Sequence, residues 1–114
     1  MMKWNALRKR EQIEQIKEES RETPVLIFKH STRCNISRTS LDRLERNWQE
    51  GEMPDVKLYF VDLISDRDVS NRVADEFNVE HESPQVLIIH GEKAVYDRSH
   101  FEIDYHQIKK AVRN

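Results

Sequence analysis

Residues 25–37 read VLIFKHSTRCNIS. A short, mostly apolar run with β-branched and aromatic members passes directly into a polar turn and a cysteine. Such a run predicts a strand buried on both faces. Cys34 is the only cysteine in the chain. Three residues later, where a dithiol C-x-x-C motif has its second sulfur, stands Ser37.

Beyond the cysteine, Ile36, Leu41, Leu44 and Trp48 recur mainly at three- and four-residue steps. This spacing predicts an amphipathic helix of about three turns. Gly51, with Pro54 shortly after, is a fitting stop. Residues 56–63, VKLYFVDL, read as a second strand. Strand, helix and strand make a βαβ unit, so the two strands are expected to be parallel and the crossover right-handed.

Upstream, residues 7–19 are rich in Glu, Gln, Lys and Arg and read as a helix. Ile13 and Ile16 give it a narrow apolar side, and Thr23-Pro24 ends it. Downstream, Ser65 or Asp66 is placed to cap a third helix, with Val69, Val73 and Phe77 on one face and Asn78 as its end. QVLIIH, residues 85–90, reads as a buried strand, and Gly91-Glu92 as a tight turn into KAVYDR, residues 93–98. The pair predicts an antiparallel hairpin. Asp104 is placed to cap a last helix carrying Tyr105, Ile108 and Val112 along one stripe.

The order α, β, α, β, α, β, β, α predicts a mixed four-stranded sheet flanked by about four helices. The thioredoxin-like fold has this arrangement, with its reactive cysteine between the first strand of the βαβ unit and the following helix. Cys34 falls at that junction. A length of 114 residues makes one domain, residues 1–114, the default.

Charged residues nearly cancel, with a net of −2. That balance gives no push toward nucleic acid or an acidic membrane surface. The basic cluster Arg8 to Arg10 is followed at once by glutamate and reads as a solvated helix face. A lone cysteine excludes an internal disulfide and argues against a secreted, disulfide-stapled class. No apolar run approaches the ~20 residues that cross a bilayer. The start, MMKWNALRKREQ, lacks the apolar core of a signal peptide. A reducing cytoplasm is the expected location. No internal repeat or low-complexity segment is present.

A sulfur reacts as thiolate, and a free cysteine is mostly thiol at neutral pH. Two features favour the charged form of Cys34. A helix starting near Asn35 turns unpaired backbone N–H groups and the positive end of its dipole toward the sulfur. Arg33 is an adjacent permanent cation, and Lys29 and His30 are further sources of positive potential. Free cysteine is often a small buried hydrophobe, but Ser31, Thr32, Arg33, Asn35 and Ser37 make this neighbourhood polar. Ser37 has two readings: its hydroxyl bonds the thiolate, since residues three apart meet on one helix face, or it satisfies backbone donors of the first turn. It cannot attack a disulfide, so any thiol–disulfide cycle needs a thiol from outside.

Ser83-Pro84, just before the strand of residues 85–90, is the second candidate. In the thioredoxin-like fold a cis-proline occupies this place beside the reactive sulfur, and the residue before it offers backbone groups to a bound peptide or thiol. The alternative is a proline that simply opens a strand. The five histidines, His30, His81, His90, His100 and His106, form no metal-ligand spacing and read as structural or surface groups. Two glycines leave no phosphate-cradling loop. Asp62 reads as a strand-end cap, with proton handling as the alternative. Trp4 and Trp48 read as core or core-edge residues.

FKHSTRCNIS (28–37), VDL (61–63), ESPQVLII (82–89) and HGEKAVYDRSHFEI (90–103) together resemble the monothiol bacilliredoxins, the YtxJ-like family. The resemblance runs along nearly the whole chain. It implies a small cytoplasmic thioredoxin-like protein of bacteria that use bacillithiol. No cofactor is bound, and bacillithiol is a co-substrate. The implied partners are S-thiolated proteins, from which Cys34 as nucleophile takes the small thiol. Thr32, Ser37 and Ser83-Pro84 match the surrounding family positions. The chain departs from the family's usual TCPIS at Arg33 and Asn35. Loss of the proline leaves an extra backbone N–H at the helix start and changes the surface a partner meets. Two other classes compete with this reading. One is a non-catalytic thioredoxin-like module that binds partner proteins. The other is a monothiol-glutaredoxin-like protein in which two chains each give one cysteine to a [2Fe–2S] centre.

Overall fold

The VLIFKH run forms the central strand of a five-stranded sheet in the computed structural model, which describes residues 2–113. In chain order the elements are β1 (Asn5–Ala6), α1 (Glu11–Ser20), β2 (Val25–His30), α2 (Asn35–Asn47), β3 (Lys57–Asp62), α3 (Arg67–Phe77), β4 (Gln85–His90) and β5 (Lys93–Ser99). A short 3₁₀ turn, His100–Glu102, leads to α4 (Tyr105–Arg113). The strand order is β1-β3-β2-β4-β5. β2 pairs parallel with β3 and antiparallel with β4, and β4 pairs antiparallel with β5. The expected thioredoxin-like architecture is therefore present, with a βαβ half joined to a hairpin half.

The sheet has one strand more than the four expected. β1 is two residues long, pairs Asn5 with Tyr59 and Ala6 with Phe60, and runs parallel to β3. Nothing in Asn5-Ala6 favours a strand by composition. The Asn5 side-chain amide donates to Leu58 O at 3.1 Å, and Leu7 N donates to Phe60 O at 2.8 Å, so β3 holds the segment in place. The first helix accordingly begins at Glu11, and Leu7 is a fully buried core residue ahead of it.

The period of two along a strand divides the core. Val25 and Ile27 of β2, Tyr59 and Val61 of β3, and Leu87 and Ile89 of β4 face α1 and α3. There they meet Ile13 and Ile16 of α1 and Val69, Val73 and Phe77 of α3. Leu26 and Phe28, Leu58, Val86 and Ile88 face the other way, against Leu44 of α2 and Tyr105 and Ile108 of α4. This two-sided cover is why the central runs carry no polar alternation.

Helix and turn chemistry largely follows the residues expected to provide it. Asn78 ends α3 in the left-handed conformation, with φ 55°. Gly91 and Glu92 both have positive φ, 63° and 66°, as a type I′ hairpin turn requires. Asp104 caps α4 by accepting the Gln107 N–H at 3.1 Å. Asp66 occupies the N-cap position of α3 but makes no side-chain cap hydrogen bond. Its carboxylate instead accepts from Ser65 Oγ at 3.0 Å and pairs with Arg8 at 3.4 Å. Among the described residues no helix is long and apolar enough to cross a membrane.

Candidate functional site

The antiparallel pairing of Lys29 with Gln85 places the C-terminal end of β2 and the N-terminal end of β4 at one end of the sheet. The chain leaving β2 carries Cys34, and the chain arriving at β4 carries Ser83-Pro84. The two candidate segments, 54 positions apart at Pro84 and His30, thus share one end of the molecule.

Cys34 is the N-cap residue of α2, with φ −110° and ψ 119°. Its own N–H donates to Ser31 O at 3.1 Å, and its carbonyl accepts the Arg38 N–H at 3.1 Å. The side chain makes no capping hydrogen bond, and the thiol is free and half-buried. The first turn of α2 contains no acidic residue, so nothing there cancels the positive end of a helix of 13 residues. Thr32, Arg33 and Asn35 are exposed around the cysteine. Among the described residues Arg33 makes no hydrogen bond or ion pair. Asn35 Oδ1 accepts from the Arg38 guanidinium.

The Ser83-Pro84 bond is cis. Pro84 is buried, and its carbonyl accepts the His100 N–H at 3.0 Å, which ties the 3₁₀ turn to the proline. Ser40 Oγ of α2 donates to His100 O at 3.2 Å from the other side. The Ser83 hydroxyl oxygen is buried without a hydrogen-bond partner among the described residues. Ile36, next to the cysteine's helix start, and Phe101, next to His100, are exposed apolar side chains.

Ser37 is brought near the site, but its hydroxyl turns elsewhere than to the sulfur. It is fully buried, accepts the Ser31 N–H at 3.0 Å and lies 2.7 Å from His30 Nδ1. No hydrogen bond joins it to Cys34. The imidazole of His30 is 5% exposed and packs against Phe60 and Phe28 at ring separations of 5.3 and 6.3 Å. Burial lowers its proton affinity below the ordinary imidazole value. Asp62 opposes that effect, Arg38 adds to it, and Glu45 opposes it more weakly.

Lys29 and His30 were both expected to lend positive potential to the sulfur. The pleat sends them to opposite faces. Lys29 is fully buried on the α3 side, with Nζ 3.2 Å from His81 Nδ1. Burial first, and then the Arg67 charge, pull its ammonium down to about 8. His81 is itself lowered by burial, then by Lys29 and Arg67, with Glu82 opposing. The loop before Pro84 is therefore tied to β2 by this pair, and to β4 by the Gln85 side-chain amide, which donates to Glu80 O at 3.0 Å. Asp62 Oδ1 accepts the Ile64 N–H at 2.9 Å, which is the strand-end cap expected of it. Sequence reasoning gave His30 only a charge role, missed its bond to Ser37, and passed over His81 as a site neighbour. The only signal was a polar pair, Lys29-His30, at the end of an otherwise apolar run.

The chain from residue 5 to 108 matches the family model described as monothiol bacilliredoxin BrxC. Among solved structures it is similar to a candidate oxidoreductase with a thioredoxin fold, at 31% identity and a TM-score of 0.75, with 93% of this chain and 90% of that one covered. It is also similar in fold to thioredoxin from Malassezia sympodialis, at 15% identity and TM-score 0.73, covering 99% and 90% of the two chains. Thioredoxin from Trypanosoma brucei brucei matches at 15% identity and TM-score 0.73, over 97% and 88%. A lone thiol at the helix N-cap, at the same sheet end as a cis-proline, agrees with these likenesses. The chain belongs to the monothiol bacilliredoxin family of thiol–disulfide oxidoreductases.

Proposed function

We propose that the protein removes a low-molecular-weight thiol, bacillithiol by family, from mixed disulfides on protein cysteines in the bacterial cytoplasm. The observation that carries this reading is Cys34 as the uncapped N-cap residue of α2, at the sheet end where cis Ser83-Pro84 enters β4. The Cys34 thiolate attacks the small-thiol sulfur of the mixed disulfide. The new S–S bond joins Cys34 to the small thiol, and the old one breaks to release the target's thiolate, which takes a proton from water. A second small thiol, as thiolate, attacks the small-thiol sulfur held on Cys34 and restores Cys34. The products of the cycle are a reduced target and an oxidised small-thiol dimer. No bound metal or nucleotide takes part.

The roles divide by position. Backbone N–H groups at the start of α2 stabilise the thiolate. Ser83 and Pro84 hold the extended strand of the incoming disulfide, and Thr32, Arg33 and Asn35 form the solvent-facing rim that meets the small thiol. Ser37 acts from beneath. Incubating the protein with a bacillithiolated or glutathionylated target and following intact mass tests the cycle. The expected result is transfer of the small thiol to Cys34 and faster release of the target than with Cys34→Ser or Cys34→Ala. Equal release by wild type and both variants, with no mass added at Cys34, refutes the proposal.

A further inference from the structure

The chain has 21 acidic residues, and none of them lies between residues 23 and 41. That stretch holds β2, the cysteine and the first half of α2, so the approach to Cys34 carries no carboxylate of its own segment. Its exposed cations stand on either side of the sulfur, Arg33 one residue before it and Arg38 four residues after. Arg38 is engaged with Asn35 Oδ1. Arg33 is exposed and makes no hydrogen bond or ion pair among the described residues. Its backbone, by contrast, is pinned. The turn of residues 31–34 is closed by the Cys34 N–H on Ser31 O at 3.1 Å, with Thr32 and Arg33 as the central pair. Arg33 therefore ties no elements of the fold together, yet its charge is fixed beside the sulfur.

Carboxylates from other elements do not cancel that charge. Glu82, ahead of cis Ser83-Pro84, is paired with His100 Nε2 at 3.5 Å. Asp62, at the end of β3, accepts the Ile64 N–H at 2.9 Å. Glu102 is exposed in the 3₁₀ turn. That turn meets α2 at Ser40, which donates to His100 O at 3.2 Å. Ser40 is about 9 Å of helix past Cys34, whereas Arg33 is its chain neighbour.

We infer that Arg33 is a specificity residue of the site: its guanidinium favours disulfides whose small-thiol half is negatively charged, as a carboxylate-bearing thiol is, over neutral ones. This inference rests on Cys34 being the reacting sulfur, as proposed above. It requires no contact between guanidinium and sulfur. Consecutive Cα atoms are ~3.8 Å apart, and a charge is felt over a Debye length of ~8 Å at physiological salt. A molecule joined to the sulfur brings its own charge into that range. A chain with the family's usual Thr at this place lacks the cation, so the preference belongs to this sequence and not to the motif.

The test uses two small disulfides with no protein part. 5,5′-Dithiobis(2-nitrobenzoate) carries a carboxylate on each half, and 4,4′-dithiodipyridine is neutral at pH 7. With either, the Cys34 thiolate attacks one sulfur and a new S–S bond joins Cys34 to that half. The other half leaves with the electron pair of the broken bond, as a thiolate from the first reagent and, after taking a proton from water, as a thiopyridone from the second. Both products absorb light, so both rates are read directly. The ratio of the two rate constants, charged over neutral, cancels any change in the thiolate fraction of Cys34. That ratio is expected to fall about three- to fivefold in Arg33→Thr, the upper scale of one exposed charge pair, and to be kept in Arg33→Lys. The difference between wild type and Arg33→Thr is expected to close at about 1 M salt. A ratio that is equal in wild type and Arg33→Thr, that is lost in Arg33→Lys, or that ignores salt overturns the inference. A protein that passes this test but releases no small thiol from a target refutes the proposed function and leaves the Arg33 preference standing. One that releases the small thiol with an unchanged ratio does the reverse.

Discussion

Lys29 Nζ lies 3.2 Å from His81 Nδ1, so a fully buried lysine is matched with an imidazole and not with a carboxylate. The pair links the central strand to the loop that delivers cis Ser83-Pro84. An ammonium buried without an opposite charge opposes folding while it stays protonated.

The sign and window of that effect follow from its titration. Unfolded, Lys29 titrates near 10.5; folded, near 8. Between these values the unfolded chain binds the extra proton, so stability rises with pH across that window. Below pH 8 the full cost is present, up to about 3 kcal/mol at ~1.4 kcal/mol per unit. Lys29→Met is therefore expected to be about 1–3 kcal/mol more stable than wild type at pH 7, and to lose that advantage as pH approaches 10.5. Urea unfolding at pH 7 and pH 10 measures it. An advantage that does not shrink with pH removes the buried charge as its cause.

Asn35→Pro restores the residue usual in the family, and the backbone is ready for it. Cys34 at φ −110°, ψ 119° has the extended conformation demanded of a residue before proline. Asn35 is the first residue of α2, where a proline ring is well suited and the N–H has no helical partner. The variant loses only the exposed Asn35–Arg38 hydrogen bond. Thermal unfolding is expected to show a gain of about 0.5 kcal/mol. Iodoacetamide alkylation of Cys34 should slow modestly, because one N–H donor at the helix start is gone. A loss of stability above ~1 kcal/mol contradicts the backbone argument.

Ser83→Ala separates folding from binding. The Ser83 hydroxyl oxygen is buried with no partner among the described residues, so its removal costs no hydrogen bond. Stability is expected to stay the same or rise by up to about 1 kcal/mol. If the hydroxyl serves the bound mixed disulfide, kcat/KM for release of the small thiol falls about tenfold at the same time, the scale of losing one hydrogen bond to a charged group. Unchanged kcat/KM removes Ser83 Oγ from substrate binding.

Ser20 pins the β4–β5 turn to the end of α1. Its buried hydroxyl donates to Lys17 O at 2.7 Å and accepts the Glu92 N–H at 2.9 Å, while its carbonyl accepts the Gly91 N–H at 2.7 Å. Ser20→Ala leaves the Glu92 N–H without its acceptor and is expected to cost about 1–2 kcal/mol. Hydrogen exchange should quicken at Glu92 while Gly91 stays protected. Equal exchange at Glu92 in both proteins rules out this anchoring.

Much of the fold was legible because its signals are local. The continuous apolar runs at 25–30 and 85–90 describe strands covered on both faces, and Val69, Val73 and Phe77 describe a helix with one buried side. β1 was not legible, since Asn5-Ala6 is a strand only because β3 offers it hydrogen bonds. Cys34 and Ser83-Pro84 could be named from their places beside the strands. The bonding of Ser37 could not, because its partner His30 lies on a different element, seven positions earlier.

The sequence by itself determined the order of the four helices and of β2 to β5, the junction at which the thiol sits, and the presence of one sulfur where a dithiol enzyme has two. Those depend on periodicity, turn residues and composition along the chain. Only the tertiary structure decided that Lys29 and His30 part to opposite faces, that Ser37 bonds an imidazole, and that His81 reaches back to the central strand. Each of these is a contact between elements, set by how the sheet is pleated and by which polar groups burial leaves within reach of one another.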